Sequence, residues 1–173
     1  LPDYAKLSNT ELIEALDSPS HIRTLNAQRM LIRRELNPAE GRLLMDTYAD
    51  PKKSQKTRIA ALYAIVQMSP GGAASSLTKR NDDPATLAFL LRAMGDLPVG
   101  SVKPYAGLFS QFLKESNDPR VKLEAIVAAA RLYLPEVAPA IAEMFSSEDL
   151  VLRHTAYRAL AKMGAYEAAF AHV

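Results

Sequence analysis

The sequence predicts an all-α protein, an α-α superhelix of about five helix pairs, and three observations carry that prediction. First, one apolar pattern returns along the chain: Ala61, Ala64, Ile65 and Met68, then Leu87, Leu90, Leu91 and Met94, then Ala125, Ala128, Ala129 and Leu132, then Ala156, Ala159, Leu160 and Met163. A looser copy precedes them at Ala27, Met30 and Leu31. Each set sits at i, i+3, i+4 and i+7, which is one face of an α-helix. Second, the interval between copies runs from 26 residues (Ala61 to Leu87) to 38 (Leu87 to Ala125), the period of an array of helix pairs. Third, alanine and leucine dominate the apolar residues, there are 7 glycines and no tryptophan, and β-branched runs are scarce. That composition favours helix over sheet.

Each repeat reads as an A helix followed by a B helix. Ser8-Asn9-Thr10-Glu11 has the form of a helix start, with Glu11 placed to satisfy free amides, and Leu12, Ile13 and Leu16 form the first apolar stripe. Asp17-Ser18-Pro19-Ser20 breaks that helix, and a B helix is expected from about Ser20 to Glu35. Asn37-Pro38-Ala39-Glu40 caps the next A helix, which carries Leu43, Leu44 and Tyr48. Asp50-Pro51 punctuates, and the following B helix is expected to end at Met68, before Ser69-Pro70-Gly71-Gly72. A short third A helix is expected near residues 73–80, and Asp83-Pro84 opens a B helix ending at Gly95. The fourth unit opens loosely over Pro98–Pro104, carries Leu108, Phe109, Phe112 and Leu113, and turns at Asp118-Pro119 into a B helix up to Tyr133. The fifth begins at Leu134-Pro135, with Ala138, Ile141, Ala142 and Phe145 in its A helix; Ser146-Ser147-Glu148-Asp149 turns the corner to a B helix ending at Met163-Gly164. The repeats therefore span about 8–36, 37–69, 70–97, 98–133 and 134–164 of one domain, 1–173, and residues 165–173 read as the start of a sixth unit. The chain opens at Leu1 and closes in what reads as a new helix, so it is expected to be a piece of a larger protein.

The formal net charge is +2, from 21 basic and 19 acidic residues, which makes no global case for nucleic acid or membrane. Residues 115–173 hold 6 basic and 8 acidic side chains, which argues against a continuous basic groove. With no cysteine, disulfides, thiolate metal sites and cysteine nucleophiles are excluded within these residues. No apolar run approaches the roughly 20 residues that span a bilayer.

The turn-and-helix residues resemble those of HEAT repeats. Asp118-Pro119-Arg120-Val121-Lys122 and Asp149-Leu150-Val151-Leu152-Arg153 come nearest to the HEAT form Asp-Pro-x-x-Val-Arg, while Asp50-Pro51 and Asp83-Pro84 keep the turn alone and Ser18-Pro19 loses the aspartate. The resemblance covers roughly residues 8–164, and it implies B helices lining a concave face. A narrower likeness begins at Lys6-Leu7-Ser8-Asn9-Thr10-Glu11-Leu12-Ile13 and continues through Leu16-Asp17-Ser18-Pro19 and Ala27-Gln28-Arg29-Met30-Leu31. These residues resemble the helical module of large bacterial extracytoplasmic proteins, in which a sugar-dehydrogenase-like β-propeller precedes the module and a c-type cytochrome domain can follow. That likeness implies a periplasmic spacer; a haem domain itself would need Cys-x-x-Cys-His, which is absent here.

The register also names the outward side chains. One column is Arg33, Gln67, Arg131 and Lys162, with Ala93 the exception; another is Arg29, Tyr63, Phe89, Val127 and Arg158. A mixed arginine and aromatic column suits protein or peptide contacts. The densest charge cluster is Lys52, Lys53, Lys56 and Arg58, at a helix start where cations oppose the dipole. It reads either as a contact patch for an acidic partner or phosphates, or as a solvated helix start. The expected contact surface is thus Arg29, Arg33, Lys52, Lys53, Lys56, Arg58, Tyr63, Phe89, Arg131 and Arg158.

His21, His154 and His172 lie too far apart in the array to share a metal, and Asp82-Asp83 and Glu148-Asp149 sit where carboxylates cap helices. Neither Gly-x-Ser-x-Gly nor His-Glu-x-x-His occurs, and Gly71-Gly72 lacks the spacing of a phosphate loop. No catalytic, cofactor-binding or metal site is expected. The function expected is a non-catalytic scaffold for a protein or for a neighbouring domain of the same chain. The alternatives are the spacer of an extracytoplasmic dehydrogenase and a nucleic-acid-binding repeat protein.

Overall fold

A computed structural model describes residues 2–71 and 83–171, and every regular element among them is helical. The expected A helix at residues 73–80 lies outside the described residues. The chain forms two compact units, 1–73 and 74–173.

The first unit holds α1 (Asn9–Ala15), α2 (His21–Leu31), α3 (Pro38–Ala49) and α4 (Gln55–Met68). Both A helices begin as their sequences dictate. The Ser8 hydroxyl accepts from the Glu11 amide at 3.2 Å, and the Glu11 carboxylate accepts from the Ser8 amide at 2.7 Å. Asn37 and Glu40 make the same reciprocal cap at the start of α3. Such caps satisfy amides that the helix cannot. α1 packs on α2 and α3 on α4; α1 also packs on α3 and α2 on α4. The result is a layer of A helices against a layer of B helices, with Leu12, Leu16, Ala27, Leu31, Leu44 and Ala61 buried between them.

α2 ends at Leu31, four residues short of the expected Glu35. The chain turns at Ile32, and the Arg34 guanidinium then donates to the carbonyls of Leu7 at 2.6 Å and Ala5 at 2.8 Å. These carbonyls precede α1 and lack helical partners, so the shortened helix satisfies groups that a longer one would leave open.

The second unit holds α5 (Pro84–Met94), α6 (Val99–Val102), α7 (Ala106–Glu115), α8 (Pro119–Leu132), α9 (Ala138–Ala142), α10 (Leu150–Met163) and α11 (Tyr166–Phe170). Asp83, Asp118 and Asp149 cap α5, α8 and α10 through their carboxylates. The B helices stack in the order α5, α8, α10, while α7 and α9 form the A layer. The fifth A helix differs from the single helix that its apolar pattern predicts. It is three short pieces, with 3₁₀ turns at Pro135–Val137 and Glu143–Ser146 on either side of α9. Pro135 and Pro139 each remove an amide donor from this segment, and tight 3₁₀ turns need fewer such donors in a row.

The repeated small face explains the closeness of α5 and α8. A Cβ added to Gly95 would lie 3.0 Å from the Ala128 Cα and 3.1 Å from its Cβ. Gly95 has an ordinary helical φ of −62°, so contact and not conformation requires glycine there. Around this point Leu90, Leu91, Met94, Ala125, Ala128 and Ala129 are almost wholly buried.

Two C-termini take the left-handed conformation. Gly164 closes α10 with φ +67°, and Tyr133 closes α8 with φ +51°. The first is the usual solution. The second strains a residue that carries a Cβ.

Ala128→Asp would place a carboxylate in the tightest part of the stack and is expected to cost about 3–5 kcal/mol in urea denaturation. Gly95→Ala is expected to cost about 1–3 kcal/mol through overpacking at the same contact. An unchanged denaturation midpoint for Ala128→Asp would show the register to be wrong.

Candidate interaction surface

The lysine and arginine cluster before and within the first turn of α4 divides into three kinds of residue. Lys52 is exposed. Lys53 and Lys56 reach the loop between α1 and α2. Lys53 Nζ lies 2.8 Å from an Asp17 carboxylate oxygen, and Lys56 Nζ donates to the Ser18 carbonyl at 2.6 Å and the Pro19 carbonyl at 3.3 Å. The Thr57 hydroxyl donates to the other Asp17 oxygen at 2.6 Å. Arg58 is 6% exposed and its Nε donates to the Tyr48 carbonyl at 3.0 Å. Its side chain therefore belongs to the interior of the first unit and does not form part of an exposed contact patch. Sequence spacing could not show the Lys53 contact, because Asp17 lies 36 residues away.

Asp17 feels this arrangement electrostatically. The Lys53 hydrogen bond, and after it that from Thr57, holds its carboxyl below the usual carboxylate range. The same contact holds the Lys53 ammonium above its usual value.

Of the other side chains in the first unit's outward columns, Arg29, Arg33 and Gln67 are exposed and Tyr63 is half-buried. In the second unit Arg131, Arg158 and Lys162 are exposed, Phe89 and Val127 are half-buried, and Ala93 is buried. Among the described residues, two depressions lie on this B-helix surface. A depression of about 210 Å³ between α5 and α8 is lined by Phe89, Arg92, Arg120, Leu123 and Glu124 among others. The Arg92 guanidinium lies 5.7 Å from the Phe89 ring centroid, and its Nε donates to Glu124 at 3.0 Å. Glu124 is buried and answered by this contact, as a buried carboxylate must be. The second depression, of about 520 Å³, lies between α8 and α10. Val127, Ala130 and Ala159 contribute its apolar lining, and Arg131, His154, Arg158 and Lys162 its polar lining. Arg131 also reaches Asp96 at 2.5 Å, and Lys162 Nζ lies 5.6 Å from the Tyr133 ring centroid.

The structure thus brings Arg131 and Arg158 together at one depression and places Phe89 in the other. His154 and Lys162 join Arg131 and Arg158, although the sequence shows His154 only as a residue too far from the other histidines to share a metal. His21 lies on α2 of the first unit, and His172 is outside the described residues. Among the described residues there is no group of three or more His, Cys, Asp or Glu side chains placed to hold a metal. No helix there is long and apolar enough to cross a membrane.

Residues 107–173 match the family model for HEAT repeats. A crystal structure of an engineered protein is similar in fold, with a TM-score of 0.58 at 18% sequence identity, over 95% of this chain and 84% of that one. No curated protein gives a match. The all-α helical-repeat class read from the residues agrees with the HEAT-repeat match and with this likeness in fold.

Two measurements check the division of the basic cluster. Arg58→Ala is expected to lower stability by about 1–3 kcal/mol, through the lost hydrogen bond and packing, whereas Lys52→Ala should stay within about 0.5 kcal/mol of the parent. Asp17 has a lower pKa folded than unfolded, so its contribution is complete above the unfolded value of about 4 and is lost as pH falls through the folded value. The gap in Tm between the parent and Asp17→Asn is therefore expected to hold steady from neutral pH down to about pH 5 and to close at lower pH.

Proposed function

We propose that this chain, with HEAT repeats matched at residues 107–173, is a non-catalytic scaffold that holds a partner protein, or a neighbouring domain of its own chain, on the B helices of its second unit. One observation supports this above others. Along α5, α8 and α10 a half-buried aromatic, exposed arginines and two shallow depressions share one surface, while the acidic residues Asp83, Asp118 and Asp149 are occupied as helix caps. Apolar lining beside polar, solvent-reached side chains is the composition of a protein contact site. A rigid scaffold suits such a role because little order must be created on binding.

Site-specific photo-crosslinking in cells producing the full-length protein tests the reading. A benzoylphenylalanine at Phe89 or Val127 is expected to trap protein, in another chain or in another domain, about tenfold more than one at Gln111 on the A-helix face. Equal trapping at the two faces, or trapping at Gln111 alone, overturns it.

A further inference from the structure

We infer that the depression between α8 and α10 receives an acidic peptide segment, whose Asp or Glu carboxylates seat on Arg131, Arg158 and Lys162. This rests on the scaffold reading and names the chemistry of the partner.

The argument begins with where charges are placed. Residues 115–173 contain 6 basic and 8 acidic side chains, so an unsorted surface there would lean acidic. The lining of this depression contains three of the six cations and His154, and no carboxylate. Five of the eight acidic side chains are engaged elsewhere. Asp118 and Asp149 cap helices, Glu124 pairs with Arg92, Glu143 lies 3.3 Å from Lys114, and Glu115 accepts from Gln111. Arg131 has Asp96 beside it, but neither Arg158 nor Lys162 has an ion pair within 4 Å among the described residues. Cations gathered at one site repel one another, and that repulsion is relieved when an anion binds between them.

The second argument is the left-handed residue that contacts Lys162. Tyr133 and Gly164 hold corresponding places at the ends of neighbouring B helices, and both are left-handed. Glycine is the low-strain choice, yet α8 carries an exposed tyrosine there, with its ring facing the Lys162 ammonium. A residue held there persists where its surroundings over-determine it. The Tyr133 ring gives the Lys162 ammonium a cation–π contact, and Lys162 lies one helical turn from Arg158.

A peptide fits better than nucleic acid. Phosphate recognition needs a run of free cations along a track. In the adjoining depression Arg92 is engaged by Glu124 and Arg120 by Asp118, so the cationic surface does not continue there. The lining of Val127, Ala130 and Ala159 offers apolar contact that a phosphate backbone does not use.

Fluorescence anisotropy on the full chain tests the inference. The probes are a fluorescein-labelled peptide Glu-Leu-Glu-Glu-Phe-Glu, its glutamine counterpart, and a labelled short duplex DNA. The acidic peptide is expected to bind, more weakly as salt rises, and the Arg158→Glu, Lys162→Glu double variant to weaken it at least tenfold. Lys103→Glu, an exposed reversal away from the site, should change it by less than twofold. Because reversal near a helix end perturbs the helix, Arg158→Gln, Lys162→Gln is measured alongside, with circular dichroism, and is expected to weaken binding at least threefold. The inference is overturned if the acidic peptide binds no better than its glutamine counterpart. It is equally overturned if Lys103→Glu has the same effect as the double variant, or if duplex DNA binds more tightly than the peptide. Crosslinking at Phe89 and Val127 separates the two levels. Trapping there with no acidic-peptide binding removes the acidic partner and leaves the scaffold; loss of groove-selective trapping in the parent removes the scaffold itself.

Discussion

The close approach of α5 to α8 governs the second unit. Where Gly95 meets Ala128, an added carbon would fit only if its neighbour gave way by a few tenths of an ångström. Small residues at Ala125, Ala128 and Ala129 let neighbouring B helices lie near enough for Leu90, Leu91 and Met94 to fill the remaining space. Dispersion and burial of this kind reward close packing steeply, because a gap of less than an ångström forfeits much of each contact. The depressions on the outer side are a product of the same geometry: helices set by small residues leave shallow valleys between larger exposed side chains.

Burial and charge are arranged by different rules here. Burial follows the helical period and repeats from unit to unit. Charge follows the path of the chain: carboxylates collect at helix starts, where amides lack partners, and arginines and lysines collect on the outer face and toward the ends of B helices. Arg131 and Lys162 fall in the last turns of α8 and α10, where the helix dipole favours a cation. The sorting that creates a cationic depression in a segment with more acids than bases thus has an ordinary origin in helix electrostatics.

What was legible in the sequence was what depends on local spacing. The apolar sets around Ala61, Leu90, Ala128 and Ala159 are buried except for the half-buried Met68, Leu87 and Met163, and Arg33, Gln67, Arg131 and Lys162 are exposed, as one helical period requires. The caps at Ser8, Asn37, Asp83, Asp118 and Asp149 are local too, with acceptor and amide two or three residues apart. What escaped were contacts from one element to another. Arg58 reads as one more surface cation until Tyr48 is seen to receive it. Buried threonines carry a similar lesson: Thr24, Thr57 and Thr86 look like polar residues near helix starts, yet each turns its hydroxyl to a carbonyl or carboxylate beside it. The broken fifth A helix has a signal in Pro135 and Pro139, which apolar periodicity taken alone does not carry.

Lys53, Lys56 and Thr57 stand at the start of one B helix and bind the loop that ends the A helix of the preceding repeat. Cations at such a start are unfavourable to their own helix and gain their partners only when the neighbour is folded. In the language of a one-dimensional lattice, they lower the intrinsic term of one repeat and raise the coupling term between two. A lattice with weak sites and strong couplings melts in long blocks, so the first unit should lose α1 to α4 together and not fray from one end.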